Sequence, residues 1–352
     1  MKRTVAALLM IATPVAYAAD SALTSSGPAD TVPIEIYTEP VAKHIAAPNC
    51  MGLNRLPVCN EIIAGFEGWV YLNFMVDSSG KPYEVTVASS SGNKDFEQSA
   101  RKAVEASTFA PGTVNGRSVE SDSEFKFTFG GIPPSTGASD AFISGYKSLM
   151  KAIDAKDRAK ADAARKEVKV QNLYESAYFG MATYLYQRQW GNDEQQLAGL
   201  TQAIAEENNA RYLSKDLFQS ALRASLQLQV RLRLYAEALQ TVAKLRKQRL
   251  DDKTAGELTS LTDQLKTLRD DGRRYELQGE MPAGSWGINL FKRHFHAVVS
   301  EGYISQVKLR CQKRFVSFAF DPELEYQVAS KDGNCYMEFI GAPGTKFSLA
   351  QF

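Results

Sequence analysis

The three histidines, His44, His294 and His296, and the four cysteines, Cys50, Cys59, Cys311 and Cys335, are the side chains best suited to metal, proton or redox chemistry. The pair His294-Phe295-His296 sets both rings on one side of a strand, a geometry that ligates zinc when a third ligand joins it. Two surface histidines beside Lys292 and Arg293 are the commoner outcome, so no metal is assigned. The cysteines form two local couples, Cys50 with Cys59 and Cys311 with Cys335. Four cysteines allow three connectivities, and local pairing keeps each bridge inside one apparent domain. Neither couple has the Cys-x-x-Cys spacing of a thiolate metal site. In an oxidising compartment each bridge would contribute about 2–4 kcal/mol. The hydroxyls of Ser89-Ser90-Ser91-Gly92 have no Gly-x-Ser-x-Gly elbow and no neighbouring histidine, and read as a strand-to-helix turn. Gly112-Thr113-Val114-Asn115-Gly116 lacks the lysine and the strand-then-helix setting of a phosphate loop. No catalytic residue, cofactor or small-molecule substrate is therefore assigned, and the chain is expected not to be an enzyme.

What remains is recognition by main chain and surface, and the elements around residues 65–129 say how. Val70 to Val76 and Tyr83 to Ala88 alternate strand-type residues on either side of Asp77-Ser78-Ser79-Gly80, the pattern of a β-hairpin. Asn93 or Asp95 can cap a helix running through Ser107, with Phe96, Ala100, Ala103 and Val104 along one face. A strand from about Val119 to Phe129 follows. It alternates Phe125, Phe127 and Phe129 with Glu124, Lys126 and Thr128, so one face is expected to be buried and the other wet.

This ββαβ order resembles the carboxy-terminal domain of TonB-family energy transducers. The matching features are Gly65-Phe66-Glu67-Gly68-Trp69-Val70, the strand ending in Val76-Asp77 with Gly80 closing the turn, and Ser89-Ser90-Ser91-Gly92. After the helix come Phe109-Ala110-Pro111 and Asn115-Gly116-Arg117-Ser118-Val119. The segment Cys50 to Cys59 departs from the family pattern, which runs directly into the Gly-x-Glu-Gly element. The resemblance implies that the last strand forms a sheet edge. Family domains capture a short extended segment of outer-membrane transporters by adding it there as a strand. Carried over by position, the contact strand is Ser121 to Phe129, with the main chain of Ser123, Glu124, Phe125, Lys126, Phe127 and Thr128 doing the pairing. The opposing expectation is that the Cys50–Cys59 loop or the helical region covers that edge.

At the amino terminus, Lys2 and Arg3 precede an apolar run from Val5 to Val15, and Ala16-Tyr17-Ala18 fits the small-x-small pattern before a cleavage site. Residues 1–19 thus read as a signal peptide directing export to the periplasm, and residues 20–46 as a spacer. The run is shorter than the roughly 20 apolar residues of a spanning helix. An uncleaved inner-membrane anchor is the alternative.

Past the TonB-like segment, assigned to 47–130, Gly130 to Gly137 reads as a linker over 131–140. A helical region is expected over 141–275. Phe142, Tyr146, Leu149 and Ile153 line one helix face, Leu173, Ala177, Tyr178 and Met181 another, and Leu258, Leu261, Leu265 and Leu268 a late one. Trp190-Gly191-Asn192-Asp193 breaks one helix and caps the next, and the chain turns again near Leu234. Tyr235-Ala236-Glu237-Ala238-Leu239 resembles the second helix of a tetratricopeptide repeat. The 45-residue step from Trp190 to Tyr235 exceeds the usual 34, so the hairpins would be degenerate and a plain helical bundle stays open.

From 280 to 352, short runs rich in aromatic and β-branched residues return: Trp286 to Phe295, Tyr303 to Leu309, Phe315 to Phe320, Tyr326 to Val328 and Tyr336 to Ile340. These describe a small β-rich domain in which Cys311–Cys335 ties neighbouring strands. The fold class is α+β multidomain: a TonB-C-like ββαβ unit, a helical-hairpin array and a disulfide-tied β-rich domain. Trp69, Trp190 and Trp286 fall in separate regions and read as core anchors. With 44% apolar and 23% charged residues the composition is that of a globular protein, and a formal net charge of +1 excludes the basic excess of a nucleic-acid binder.

Two functions follow. One is a periplasmic binding or scaffold protein whose partners are envelope proteins, outer-membrane transporters among them. The other is an energy-transduction component that keeps its amino-terminal segment in the inner membrane.

Overall fold

A computed structural model describes residues 35–48, 67–129, 137–205 and 211–352. The signal-peptide assignment, most of the spacer and linker, and the Cys50–Cys59 couple lie outside the described residues. Ile36 to Phe352 form one compact unit of mixed α+β class, with eight α-helices among the described residues.

Local chemistry fixes the first sheet. Strands β1 (Tyr37–Thr38) and β2 (Val41–His44) are short and peripheral. Strands β3 (Gly68–Val76) and β4 (Pro82–Ser90) form the expected hairpin. Its turn is held by Asp77, whose Oδ1 accepts from Ser79 N at 2.8 Å, Ser79 Oγ at 2.6 Å and Lys81 N at 2.9 Å. These bonds hold the Asp77 carboxyl below its ordinary range, the Ser79 hydroxyl contributing most. Gly80 closes the turn at φ +91, and a Cβ there would lie 2.0 Å from Phe109 O. Glycine is thus required by backbone conformation and by close approach at once.

Helix α1 (Lys94–Glu105) is capped by Asn93, not Asp95, and ends two residues short of Ser107. Strands β5 (Thr108–Ala110), β6 (Gly112–Val114) and β7 (Arg117–Val119) come next. The Asn115-Gly116 turn joins β6 to β7 with positive φ at both residues. The strand expected from Val119 therefore starts later, as β8 (Ser121–Phe129). The main sheet has the order β4-β3-β8 and is antiparallel throughout. Val70, Leu72, Phe74, Phe127 and Phe129 pack on Phe96, Ala100 and Val104 of α1, with the Phe96 and Phe129 rings stacked at 4.3 Å.

Seven helices follow: α2 (Asp140–Asp154), α3 (Arg158–Glu167), α4 (Leu173–Trp190), α5 (Asp193–Ile204), α6 (Lys215–Arg231), α7 (Tyr235–Arg246) and α8 (Asp252–Asp270). From α4 onward each packs against the next. Gly191-Asn192 turns the chain between α4 and α5, and Asn192 and Gln195 form a capping box. Gly180 and Gly199 let these two helices approach until an added Cβ on either would meet backbone of the other within 2.6 Å.

The last part is a sandwich of two four-stranded antiparallel sheets. Its strands are β9 (Tyr275–Glu280), β10 (Ser285–Asn289), β11 (His294–Glu301), β12 (Ile304–Cys311), β13 (Arg314–Ala319), β14 (Tyr326–Gln327), β15 (Cys335–Gly341) and β16 (Lys346–Gln351). One sheet runs β10-β15-β12-β13 and the other β14-β11-β16-β9. Trp286 and Phe339 of the first sheet meet Phe347 of the second edge-on at 5.0 and 5.3 Å. The apolar run Trp286 to Phe295 is two strands rather than one, because Leu290 to Arg293 carry the chain from one sheet to the other. Cys311 and Cys335 are register partners on β12 and β15 and are disulfide-bonded, with Cα atoms 3.9 Å apart.

Candidate functional site

Strand β8 lies at the end of its sheet, and the backbone states which of its groups face outward. Trp69 turns its carbonyl toward β4, where Ser91 N donates to it at 2.9 Å, so its register partner Thr128 is not bonded to it. The β3–β8 register runs without a bulge to Asp122, whose N–H likewise points away from β3, to Gln312 O at 3.4 Å. The outward main-chain groups are therefore those of Asp122, Glu124, Lys126 and Thr128. Ser123, Phe125 and Phe127, expected to share in pairing with a visitor, turn their main chains to β3 instead, because strand parity allows only every second residue to face each neighbour. Among the described residues, no hydrogen bond occupies the outward N–H of Glu124 or Thr128.

This edge is tied into the rest of the molecule at two places, Asp122 and the Lys126 side chain. At the first, the turn between β12 and β13 supplies Gln312 O to Asp122 and to the Tyr37 hydroxyl at 3.0 Å. At the other, Lys126 Nζ donates to Ala205 O at 3.0 Å, just past the last turn of α5. The side-chain face opposite α1 is only partly wet. Glu124 and Thr128 are exposed, but Trp69 is buried with the helical cluster and Met75 is fully covered. Sequence alternation marked this face as polar on β8, yet on its neighbour β3 the same face carries buried Trp69 and Met75 beside Tyr71 and Asn73.

Alongside the first half of β8 lies a polar cavity of about 550 Å³. Asn73, Asp122, Ser123 and Glu124 form its near wall, and Glu39 closes one side. Arg310, Gln312, Asn334 and Tyr336 of the sandwich, with Gln240 of α7 and Asn289, form the far wall. Burial, then the charges of Glu124 and Glu39, push the Asp122 carboxyl up to about 6 against the smaller pull of Arg310. Burial also raises the phenol of Tyr71, which bonds Glu124 across the strands. Asn289 is fixed from behind, donating from N and Nδ2 to Glu237 Oε1 at 3.3 and 3.0 Å. Burial raises the Glu237 carboxyl above its usual range.

Arg310 is 5% exposed. Its Nη2 donates to Glu84 O at 3.4 Å and its guanidinium lies 5.9 Å from the Tyr336 ring centre. Its Nε has no partner among the described residues. Beside it, Lys308 Nζ lies 2.7 Å from Glu84 Oε2. None of the far-wall residues belongs to a sequence motif. The one available signal was the alternation of Lys308 and Arg310 with Val307, Leu309 and Cys311 along β12.

The histidines lie elsewhere. His294 stacks on Phe352 at 5.6 Å, and His296 Nε2 is 2.9 Å from Pro322 O. His44 is exposed on β2. Among the described residues no group of three His, Cys, Asp or Glu side chains is placed to hold a metal, and no helix is long and apolar enough to cross a membrane.

A comparison with curated proteins found no match to the chain. Residues 60–130, which carry β3 to β8, match the family model for the Gram-negative bacterial TonB protein C-terminal. This segment, with its ββαβ order and terminal strand β8, is similar to the C-terminal domain of Gram-negative bacterial TonB proteins.

Proposed function

We propose that this chain is an exported periplasmic binding or scaffold protein, not an enzyme, whose TonB-like segment captures an extended peptide by strand addition along β8. The observation that carries the reading is the outward main chain of Glu124 and Thr128 on the last strand of a sheet similar to TonB C-terminal domains. Unpaired amides and carbonyls at a sheet edge are a template for an added strand. The contact of Asp122 with Gln312 bounds the visitor at the first end of the strand, which leaves it a short segment. Its partners are envelope proteins, outer-membrane transporters among them. Helices α4 to α7, read as degenerate tetratricopeptide-like hairpins, present a second protein-binding surface.

The test replaces Glu124 with a photoreactive benzoylphenylalanine in cells and compares it with the same chain carrying Thr128→Pro. Proline at an outward position removes one edge donor and leaves the β3 ladder whole. The crosslinked adduct is expected to fall about tenfold, the effect of one lost edge hydrogen bond plus ring clash, with an unchanged melting temperature. An adduct of equal yield contradicts strand addition. Adducts with inner-membrane motor proteins, together with a mature chain that retains residues 1–18, would favour the energy-transducer reading instead.

A further inference from the structure

The cavity beside β8 is continuous with the edge along which the peptide would lie, and its chemistry selects what that peptide carries. Glu39, Asp122 and Glu124 bring three carboxylates to it, and Arg310 a single guanidinium. The carbonyl of Glu84 and the Tyr336 ring already engage that guanidinium. The local charge is thus negative on balance. The Asp122 carboxyl is raised first by burial and then by Glu124 and Glu39, whose charges outweigh the pull of Arg310. Arg310 adds an independent indication. It is 95% buried by its 5% exposure, and its Nε is a donor without an acceptor among the described residues. A buried orphan donor costs roughly 1–3 kcal/mol unless an acceptor reaches it.

The volume, about 550 Å³, exceeds what one long side chain fills, so a seated residue brings its own peptide group in with it. One ligand feature meets every demand at once. A lysine or arginine supplies a cation for the carboxylates, and the carbonyl of its own peptide group supplies an acceptor to the guanidinium of Arg310, which lines the cavity and whose Nε is covered and unpartnered in the free chain. A neutral saccharide would satisfy the carboxamides of Asn73, Gln240, Asn289, Gln312 and Asn334 but leaves the charge imbalance unanswered. Glu124 makes the connection to the edge, because its main chain faces outward toward the visitor and its side chain lines the cavity.

Resting on the strand-addition reading, we propose that this cavity is the specificity pocket of the β8 edge and seats a lysine or arginine side chain of the captured peptide. Asp122 and Glu124 contact the cation, and Arg310 positions the peptide group. Neither Asp122 nor Glu124 needs to move, since both already line the space.

The test uses the full chain and blocked synthetic peptides of about seven alternating threonine and valine residues, long enough for one edge strand. Lysine, arginine, glutamine or glutamate is placed in turn at each inner position, and binding is read by fluorescence anisotropy at pH 7.5. At one position lysine or arginine is expected to bind about tenfold tighter than glutamine, and glutamate weaker still. The double variant Asp122→Asn, Glu124→Gln, which conserves shape, is expected to erase that order while retaining the affinity of the glutamine peptide. Thr128→Pro is expected to weaken every peptide equally. Peptides that bind in a Thr128-sensitive manner with no charge preference would overturn the pocket and leave strand addition standing. Peptides that bind neither chain, or bind both equally, would overturn strand addition and the pocket with it.

Discussion

Asp122 is held between two demands, since its amide is committed to Gln312 O while its carboxyl is buried among Glu124, Glu39 and Arg310. Its folded value near 6 lies above the ordinary 3.8, and the phenol of nearby Tyr37 is raised by burial and, to a smaller extent, by Asp122. Below pH 4 the group is neutral folded or unfolded. Between pH 4 and pH 6 the folded chain keeps a proton that the unfolded chain releases, so stability falls as pH rises through this window and stays lower above it. Asp122→Asn is expected to raise unfolding stability by about 2 kcal/mol at pH 7.5 and to change it little at pH 3.5, as read by urea titration at both pH values. A variant no more stable at pH 7.5 would contradict the burial and neighbouring carboxylates assigned to Asp122. Residues acting on their own neighbours were legible in the sequence. Asn93, one of two capping candidates for α1, and Asp77 with Gly80 in the first turn each act within a few positions along the chain, whereas the Asn115-Gly116 turn between β6 and β7 was not read as one. Arg310 was not legible, because its partners Glu84 and Tyr336 lie 226 and 26 positions away and only the folded register brings them together.

Strands and helices separate according to how strongly their own pattern speaks. The hairpin β3–β4, the capped α1 and the phenylalanine-lined β8 follow from period and turn chemistry. The break at Gly191-Asn192 follows from capping. Strand β9 is quieter, since Glu276, Gln278, Gly279 and Glu280 interrupt its apolar residues and its place is set by pairing with β16. The alternation on β8 told its two side-chain faces apart but not that Trp69 and Met75 of β3 would be covered on the polar side, which depends on packing by distant elements. Pairing of Cys311 with Cys335 was legible from proximity alone, and the structure adds that they are direct cross-strand partners. Replacing both by alanine opens a constraint spanning 24 positions and is expected to cost about 2–4 kcal/mol in urea unfolding under oxidising conditions. No loss of stability would mean that the β12–β15 ladder alone fixes this end of the sandwich. The same bridge borders Gln312, so the variant is also expected to loosen the abutment at Asp122.

At the scale of the whole molecule, three parts close on one strand. The sandwich reaches β4 and β8 through Lys308, Arg310 and Gln312. The helices meet the first sheet through Glu67 N to Gln171 O at 2.8 Å and through buried Trp69. They meet the sandwich through buried Lys292, whose Nζ donates to Asp271 O at 2.6 Å and Arg273 O at 2.5 Å. Contacts of this kind unite segments that composition and linker signals separate, which is why the far wall of the cavity could not be read from any one segment. Under the proposed strand addition, a foreign strand pairs with the outward main chain of Glu124 and Thr128. Residue-resolved amide hydrogen exchange on the free, full chain reads that directly. Glu124 and Thr128 are expected to exchange far faster than Phe125 and Phe127, whose amides serve the β3 ladder. Equal protection along the whole of β8 would mean that its outer side is already paired, and would contradict capture by strand addition.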